Sequence, residues 1–321
     1  MAIEITITQK GLVKRALPFE VIVADQLKWG AFDGFRLEVG AINDNEFIAY
    51  NENHIGRGFS VDWKQGEKQQ VYLRLPIPSH DAEIDDFYDT ILRIADFWKN
   101  CEINQDGTVI SLADLPAERS RMKEFNLRII NDFANDQKRP THDETGDVYF
   151  DLDASGNRTG EATMVPHEND IIFYSAMWPL ILGVKEKALF TNATDATAFQ
   201  KFLHEKQSLD AYYAKPQFYH DQDTSEIFGN FALTENCVSI FPLKPTAPWW
   251  MTDAQTGEAL KVDRWSISLY SATKEAVIGN MSYEEFLERV PHTEYYDAGQ
   301  LLINEISLTE MEALLGETVV H

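Results

Sequence analysis

Three stretches of this chain place oxygen or nitrogen ligands at spacings that chemistry can use. Asp151-Leu-Asp153-Ala-Ser155-Gly156-Asn157 alternates side-chain oxygens and ends near a glycine, as the start of a calcium loop does. Its candidate metal ligands are Asp151, Asp153, Ser155 and Asn157. The bidentate glutamate of such a loop belongs at the twelfth position, which here is Ala162, with Glu161 one place early. The approach through Val148-Tyr149-Phe150 also reads as a strand rather than a helix. The favoured reading is therefore a hairpin turn that uses Ser, Gly and Asn for their backbone geometry. His220, Asp221 and Asp223 put an imidazole beside two carboxylates, the ingredients of an acid/base or metal site. No second histidine follows at ligand spacing, so a solvated strand end is the simpler expectation. His167-Glu168 and His204-Glu205 are read the same way.

The third stretch is apolar. Pro245-Thr-Ala-Pro248-Trp249-Trp250 sets two adjacent indoles after a proline-punctuated loop. Consecutive strand positions face opposite ways, so one ring is expected to pack and the other to be presented. A presented Trp is an interface anchor, whereas two packed rings plug a loop. Gly56-Arg57-Gly58 lacks the third glycine and the acidic partner of a dinucleotide site; a turn or bulge is expected, with Arg57 bridging nearby carboxylates. There is no GxxxxGK[ST], no GxSxG and no HExxH, and no cofactor is expected.

Charge narrows the partners. The chain has 52 acidic and 28 basic residues, a net charge of −24. Such a field repels phosphate backbones and anionic bilayers, so neither nucleic acid nor membrane is expected; a basic protein is. Asp81, Glu83, Asp85, Asp86 and Asp89 crowd the start of one helix. There they complement the helix dipole, and Asp85 and Asp86 are candidate contacts for a basic partner. Cys101 and Cys237 belong to no metal or redox motif and read as separate buried thiols of a reducing cytoplasm. The three N-x-S/T sequons, at Asn157, Asn192 and Asn280, carry no meaning there. The oligomeric state is left open.

These residues need elements to hold them. Ile3, Ile5 and Ile7 alternate with polar residues as a strand, not a signal peptide. Pro18 to Lys28 reads as a short helix, followed by strands at Phe35–Val39, Glu46–Tyr50, Phe59–Trp63 and Gln70–Leu75. Ile84, Phe87, Tyr88, Ile91, Ala95 and Trp98 give one apolar face to a helix from Asp81 to Trp98, capped by Ser79 or Asp81. A loop through Asn104-Gln105-Asp106-Gly107 leads to a helix from about Pro116 to Phe133, with Met122, Phe125, Ile129 and Phe133 inward. Polar residues 136–146 are the expected linker between an N-terminal α+β region, 1–135, and a strand-rich C-terminal α+β region, 147–321, unless the two are one fused domain. Further on, Ala193–Glu205 reads as a helix, and Ser282/Glu285 and Ser307/Glu310 open two more as capping boxes. Strands come in runs rather than alternating with helices. The expected class is α+β, mostly antiparallel sheets with a few packed helices.

One block resembles a known family. Ile55-Gly-Arg-Gly-Phe59, Val71-Tyr-Leu-Arg-Leu-Pro-Ile-Pro-Ser79, Ile84-Asp-Asp-Phe-Tyr88 and Asp106-Gly107 are similar to the bacterial domain of unknown function 4299. The likeness implies a bacterial cytoplasmic protein and supplies no activity and no site residues. Two functions therefore stand side by side: an acidic accessory or immunity-type protein that binds a basic partner, and a carboxylate/His hydrolase or other small-molecule enzyme, with or without a divalent cation.

Overall fold

The computed structural model describes residues 1–24, 26–135, 142–143, 146–152, 158–166, 171–221, 223–224, 226–248, 251–252, 257–258 and 260–316, with backbone alone at 142–143, 146–152 and 158–166. Contacts group the chain into two compact units: Met1–Phe32 with Leu37–Ser208, and Asp33–Arg36 with Leu209–His321. By contacts the division falls after Ser208. His142–Asp143, inside the expected linker at 136–146, pair with a neighbouring strand.

In the first unit the elements run β1 (Ala2–Gln9), α1 (Phe19–Ile22), β2 (Leu27–Phe32), β3 (Leu37–Val39), β4 (Glu46–Asn51), β5 (Phe59–Asp62), β6 (Gln70–Pro76) and α2 (Asp81–Trp98). They continue through β7 (Cys101–Gln105), β8 (Thr108–Ile110), α3 (Leu115–Ala134), β9 (His142–Asp143), β10 (Gly146–Leu152), β11 (Arg158–Pro166), β12 (Ile171–Phe173), β13 (Leu180–Leu182), α4 (Val184–Ala188) and α5 (Thr197–Gln207). Eight strands form one sheet in the order β3-β2-β4-β5-β6-β1-β7-β8, antiparallel throughout. The alternation of β1 buries Ile3, Ile5 and Ile7, which pack with Val71, Leu73 and Leu75 of β6 and the apolar face of α2. That face is fully buried at Ile84, Phe87, Tyr88, Ile91 and Ile94. Burying it is the main reason α2 holds, since most helical stability comes from packing an amphipathic face.

Several local expectations need correction. The stretch from Pro18 makes one helical turn and then β2 begins at Leu27, because Leu27 and Ala31 can bury against the sheet. The expected loop at Asn104–Gly107 is a hairpin, β7–β8: Asp106 and Gly107 both take positive φ, 49° and 88°, the geometry of a tight two-residue turn. The inner face of α3 is centred on Met122, Asn126 and Ile130, with Phe125, Ile129 and Phe133 only half-buried. Both cysteines are free and half-buried rather than buried.

The second unit contains β14 (Tyr212–Tyr213), β15 (Gln217–His220), β16 (Ile227–Thr234), β17 (Ser239–Pro242), β18 (Arg264–Ser271), β19 (Ala276–Ser282), α6 (Tyr283–Arg289), β20 (Thr293–Tyr295), β21 (Gln300–Ile303) and α7 (Leu308–Leu314). Two four-stranded sheets, β14-β17-β21-β20 and β15-β16-β18-β19, are antiparallel except at β14/β17 and β16/β18. Phe231, Phe241, Ile267, Leu269 and Ile303 share a core with Tyr283 and Phe286 of α6 and Met311 of α7. Ser282 caps α6, and Ser307 with Glu310 forms the full capping box of α7. The protein is α+β with mostly antiparallel sheets.

Candidate functional site

Among the described residues of the first unit, a glycine loop wraps around one carboxylate. Glu83, in the first turn of α2, is only 1% exposed. Its Oε1 accepts from the backbone N–H of Gly56 at 2.9 Å and of Gly58 at 2.7 Å. Its Oε2 accepts from Arg57 N at 3.0 Å, His80 N at 3.2 Å and the Ser79 hydroxyl at 2.6 Å. All five partners are donors, which is what a buried carboxylate needs. Glycine is required on both sides of Arg57. A Cβ on Gly56 would collide with Glu83 Oε2, and Gly58 has φ of +65° with Ala49 O at 2.8 Å from its Cβ position. Asn126 of α3 completes the frame: it accepts from Ser79 N at 2.8 Å and donates to Ser79 O at 2.9 Å. The Ile77–Pro78 peptide leading into this turn is cis. The cap of α2 is thus His80, whose Nδ1 accepts from Ala82 N, and not Ser79 or Asp81.

Three histidines gather beside the loop. His54 Nε2 donates to Asp86 Oδ2 at 2.7 Å, and Asn51 Nδ2 donates to the same oxygen at 3.3 Å. The His54 and His80 rings lie 5.3 Å apart. His204 Nδ1 accepts from Ile55 N at 3.1 Å, so this residue holds the loop and is not a solvated helix end. The ion-pair hydrogen bond to Asp86 raises the His54 pKa above the ordinary histidine value. Burial lowers that of His80. Two imidazoles pushed in opposite directions at one place is an arrangement that acid/base chemistry uses.

On another side of the loop Arg57, expected to bridge carboxylates, forms no ion pair among the described residues. Its Nε donates to Tyr174 O at 2.7 Å and its Nη1 to Pro78 O at 3.3 Å, with the guanidinium 4.3 Å from the Phe173 ring centre. Burial pushes its pKa down to about 10, which leaves it charged at neutral pH.

The residues singled out from the sequence are scattered. Asp85 is drawn into α2–α3 pairing, 2.7 Å from Lys123 Nζ and 3.7 Å from Arg119 Nη1, and Asp86 is engaged by His54. Both carboxylates are thus held within the chain. Asp151 lies in β10 opposite Thr159 of β11, the strand frame of a hairpin; Asp153, Ser155 and Asn157 lie outside the described residues. So do His167, Trp249 and Trp250. His220 ends β15 exposed, and Asp221 spends its carboxylate on the N–H groups of Asp223 and Thr224, closing its own turn. His220, Asp221 and Asp223 therefore sit together at a strand end and the turn that follows it. Among the described residues no cluster of three or more His, Cys, Asp or Glu side chains is arranged to hold a metal, and no helix is long and apolar enough to cross a membrane. Sequence reasoning missed Glu83 as a hub. The available signal was a carboxylate three residues after a cap, with glycines elsewhere that needed a partner.

The second unit carries a different feature. An open groove of about 610 Å³ is lined by Val238, His292, Thr293, Glu294, Asn304 and Glu305. It runs beside β20, an edge strand exposed at all three residues, and Tyr295 there is 73% exposed. Neither Glu294 nor Glu305 pairs with a cation among the described residues.

Fold and site define an α+β protein whose first unit is organised by a carboxylate-held glycine loop. Residues 2–314 match the family described as Domain of unknown function (DUF4299), and the chain belongs to that family. Comparisons with curated proteins and with solved structures find no match. Three of the segments that carry the family likeness, Ile55–Phe59, the turn ending at Ser79 and the start of α2, are the parts that meet at Glu83.

Proposed function

We propose that this is a bacterial cytoplasmic protein without catalysis, which binds a basic partner protein in an accessory or immunity-type role. The observation that carries the reading is the groove along β20. It combines two carboxylates without an ion pair among the described residues, the edge strand β20 and an exposed Tyr on a chain of net charge −24. An extended basic segment can pair its backbone with the edge and set its cations against Glu294 and Glu305. The test uses a dye-labelled peptide of alternating Lys and Val, titrated by anisotropy at low salt. Parent protein should bind it, and added salt should weaken binding. Glu294→Lys with Glu305→Lys should cost about tenfold or more in affinity, roughly 1.4 kcal/mol. Reversing two exposed carboxylates of the first unit, Glu20 and Asp96, should cost much less. Equal losses from the two pairs would mean nonspecific charge attraction and retire the groove.

A second reading, a His-dependent small-molecule enzyme, is favoured by the opposed shifts of His54 and His80 beside Asp86. It requires hydrolysis of activated esters that His54→Ala abolishes in a folded protein; turnover no faster than buffer removes it.

A further inference from the structure

In the first unit one cleft runs against the charge of the chain. It encloses about 230 Å³, and both Arg57 and Arg74 line it. Arg57 is fixed before any ligand arrives: two carbonyl oxygens hold Nε and Nη1, the Phe173 ring supports one face, and Nη2 has no partner among the described residues. A guanidinium held this way loses little freedom on binding and keeps the N–H groups of Nη2 to offer a ligand. Arg74 is near enough that the two charges oppose one another. Among the described residues the only carboxylate to which Arg74 is paired is Glu4, at 3.6 Å with both side chains about half exposed. Glu83, the closest buried acid in sequence to the turn at Pro78, is already saturated by five donors. On a chain with 52 acidic residues, a cleft whose lining sets two arginines against a single carboxylate, Glu46, marks a place left for an external anion.

We infer that this cleft binds a small organic monocarboxylate, its carboxylate on Arg57 and Arg74 and its apolar body against Ile48, Pro76 and Tyr174. The walls supply the apolar contact that a bare inorganic ion cannot use. Glu46 also lines the cleft and reduces its net charge to that of a single cation, which disfavours dianions. The inference concerns the first unit and does not depend on partner binding by the second.

The full-length protein is titrated with benzoate, benzamide, phenyl phosphate and inorganic phosphate, followed by amide shifts around Gly58, Ser60 and Arg74. Benzoate should saturate and benzamide should not. Arg74→Ala should weaken benzoate about tenfold or more with an unchanged melting temperature, because the Arg74 side chain is 52% exposed and the fold does not rest on it. The inference is overturned if benzoate does not saturate, if Arg74→Ala binds it like the parent, or if either phosphate binds as tightly as benzoate.

Discussion

Replacing Glu83 by alanine should release the glycine loop, and the size of the effect follows from its partners. The carboxylate accepts five hydrogen bonds, two from fully buried N–H groups of Gly56 and Gly58 and one from the buried Ser79 hydroxyl. A hydrogen bond to a charged group contributes about 1.5–3 kcal/mol, and a buried donor left without its acceptor costs about 1–3 kcal/mol. Five full values cannot be summed, because the loop relaxes and water reaches some donors. Taking the two buried N–H groups as the part that cannot relax, Glu83→Ala should destabilise the first unit by roughly 3–5 kcal/mol, the range for breaking a buried charged network. Glu83→Gln keeps the shape but turns an NH₂ group towards one set of donors, and should cost about 2–3 kcal/mol. Urea unfolding followed by Trp fluorescence reads this, since Trp29, Trp63, Trp98 and Trp178 all belong to the first unit. With two units a single two-state transition is not assumed, so the shift must appear in one transition. Hydrogen exchange sharpens the reading: the amides of Gly56, Arg57 and Gly58 should be protected in the parent and exchange freely in Glu83→Ala. A loss below about 1 kcal/mol, or unchanged protection at these three amides, would show that something other than Glu83 holds the loop.

Other perturbations test neighbouring parts. Phe87→Ala removes a fully buried ring that meets Phe59 edge-on at 5.6 Å, and should cost on the order of 3–5 kcal/mol in the same urea assay. Gly56→Ala pushes a methyl into Glu83 Oε2 and should cost about 1–3 kcal/mol; melting at the parent temperature would count against the tight wrap. By NMR, His54 should titrate above the ordinary value near 6.5 and His80 below it, and Asp86→Asn should return His54 towards that value. The raised His54 stabilises below about pH 6.5 and loses this contribution as pH rises through its folded pKa, whereas the lowered His80 destabilises the fold as pH falls from about 6.5 through its own folded pKa. Asp86→Asn should therefore make the protein more acid-sensitive relative to neutral pH; reversed titration order would undo the assignment. Millimolar calcium should leave the melting temperature unchanged if Asp151–Asn157 is a hairpin turn, since a site filled a hundredfold above its dissociation constant would stabilise by about 2.7 kcal/mol.

Elements with strong periodicity were legible in the sequence. The face of α2, the alternation of β1 and the cap at Ser307 each repeat a local rule, so each could be read without knowing what lay opposite. The misreadings share one cause. Leu27–Phe32 has no strand alternation of its own, and becomes β2 because β3 and β4 offer it edges on both sides. The face of α3 turned out to be rotated because Asn126, a polar residue, sits at its centre to bind Ser79. The Asp106–Gly107 pair carried a hairpin signal, but flanking strands of five and three residues gave it little company.

The site was harder to read for the same reason in stronger form. Its members come from positions 54–58, 79–86, 126 and 204, and no spacing rule relates them. A sequence shows a glycine-Arg-glycine turn and, elsewhere, an acidic helix start; each has an ordinary explanation alone. What joins them is the demand that buried donors find acceptors, which applies across any chain distance. The acidic start of α2 illustrates the consequence. Of its carboxylates Glu83 holds a loop, Asp85 and Asp89 pair with α3, and Asp86 holds His54. A cluster that reads as a surface for a partner thus also serves to assemble its own unit. On the proposed reading, the acidity that meets a partner comes from carboxylates without such duties, and Glu294 and Glu305 beside the edge strand β20 have no ion pair among the described residues.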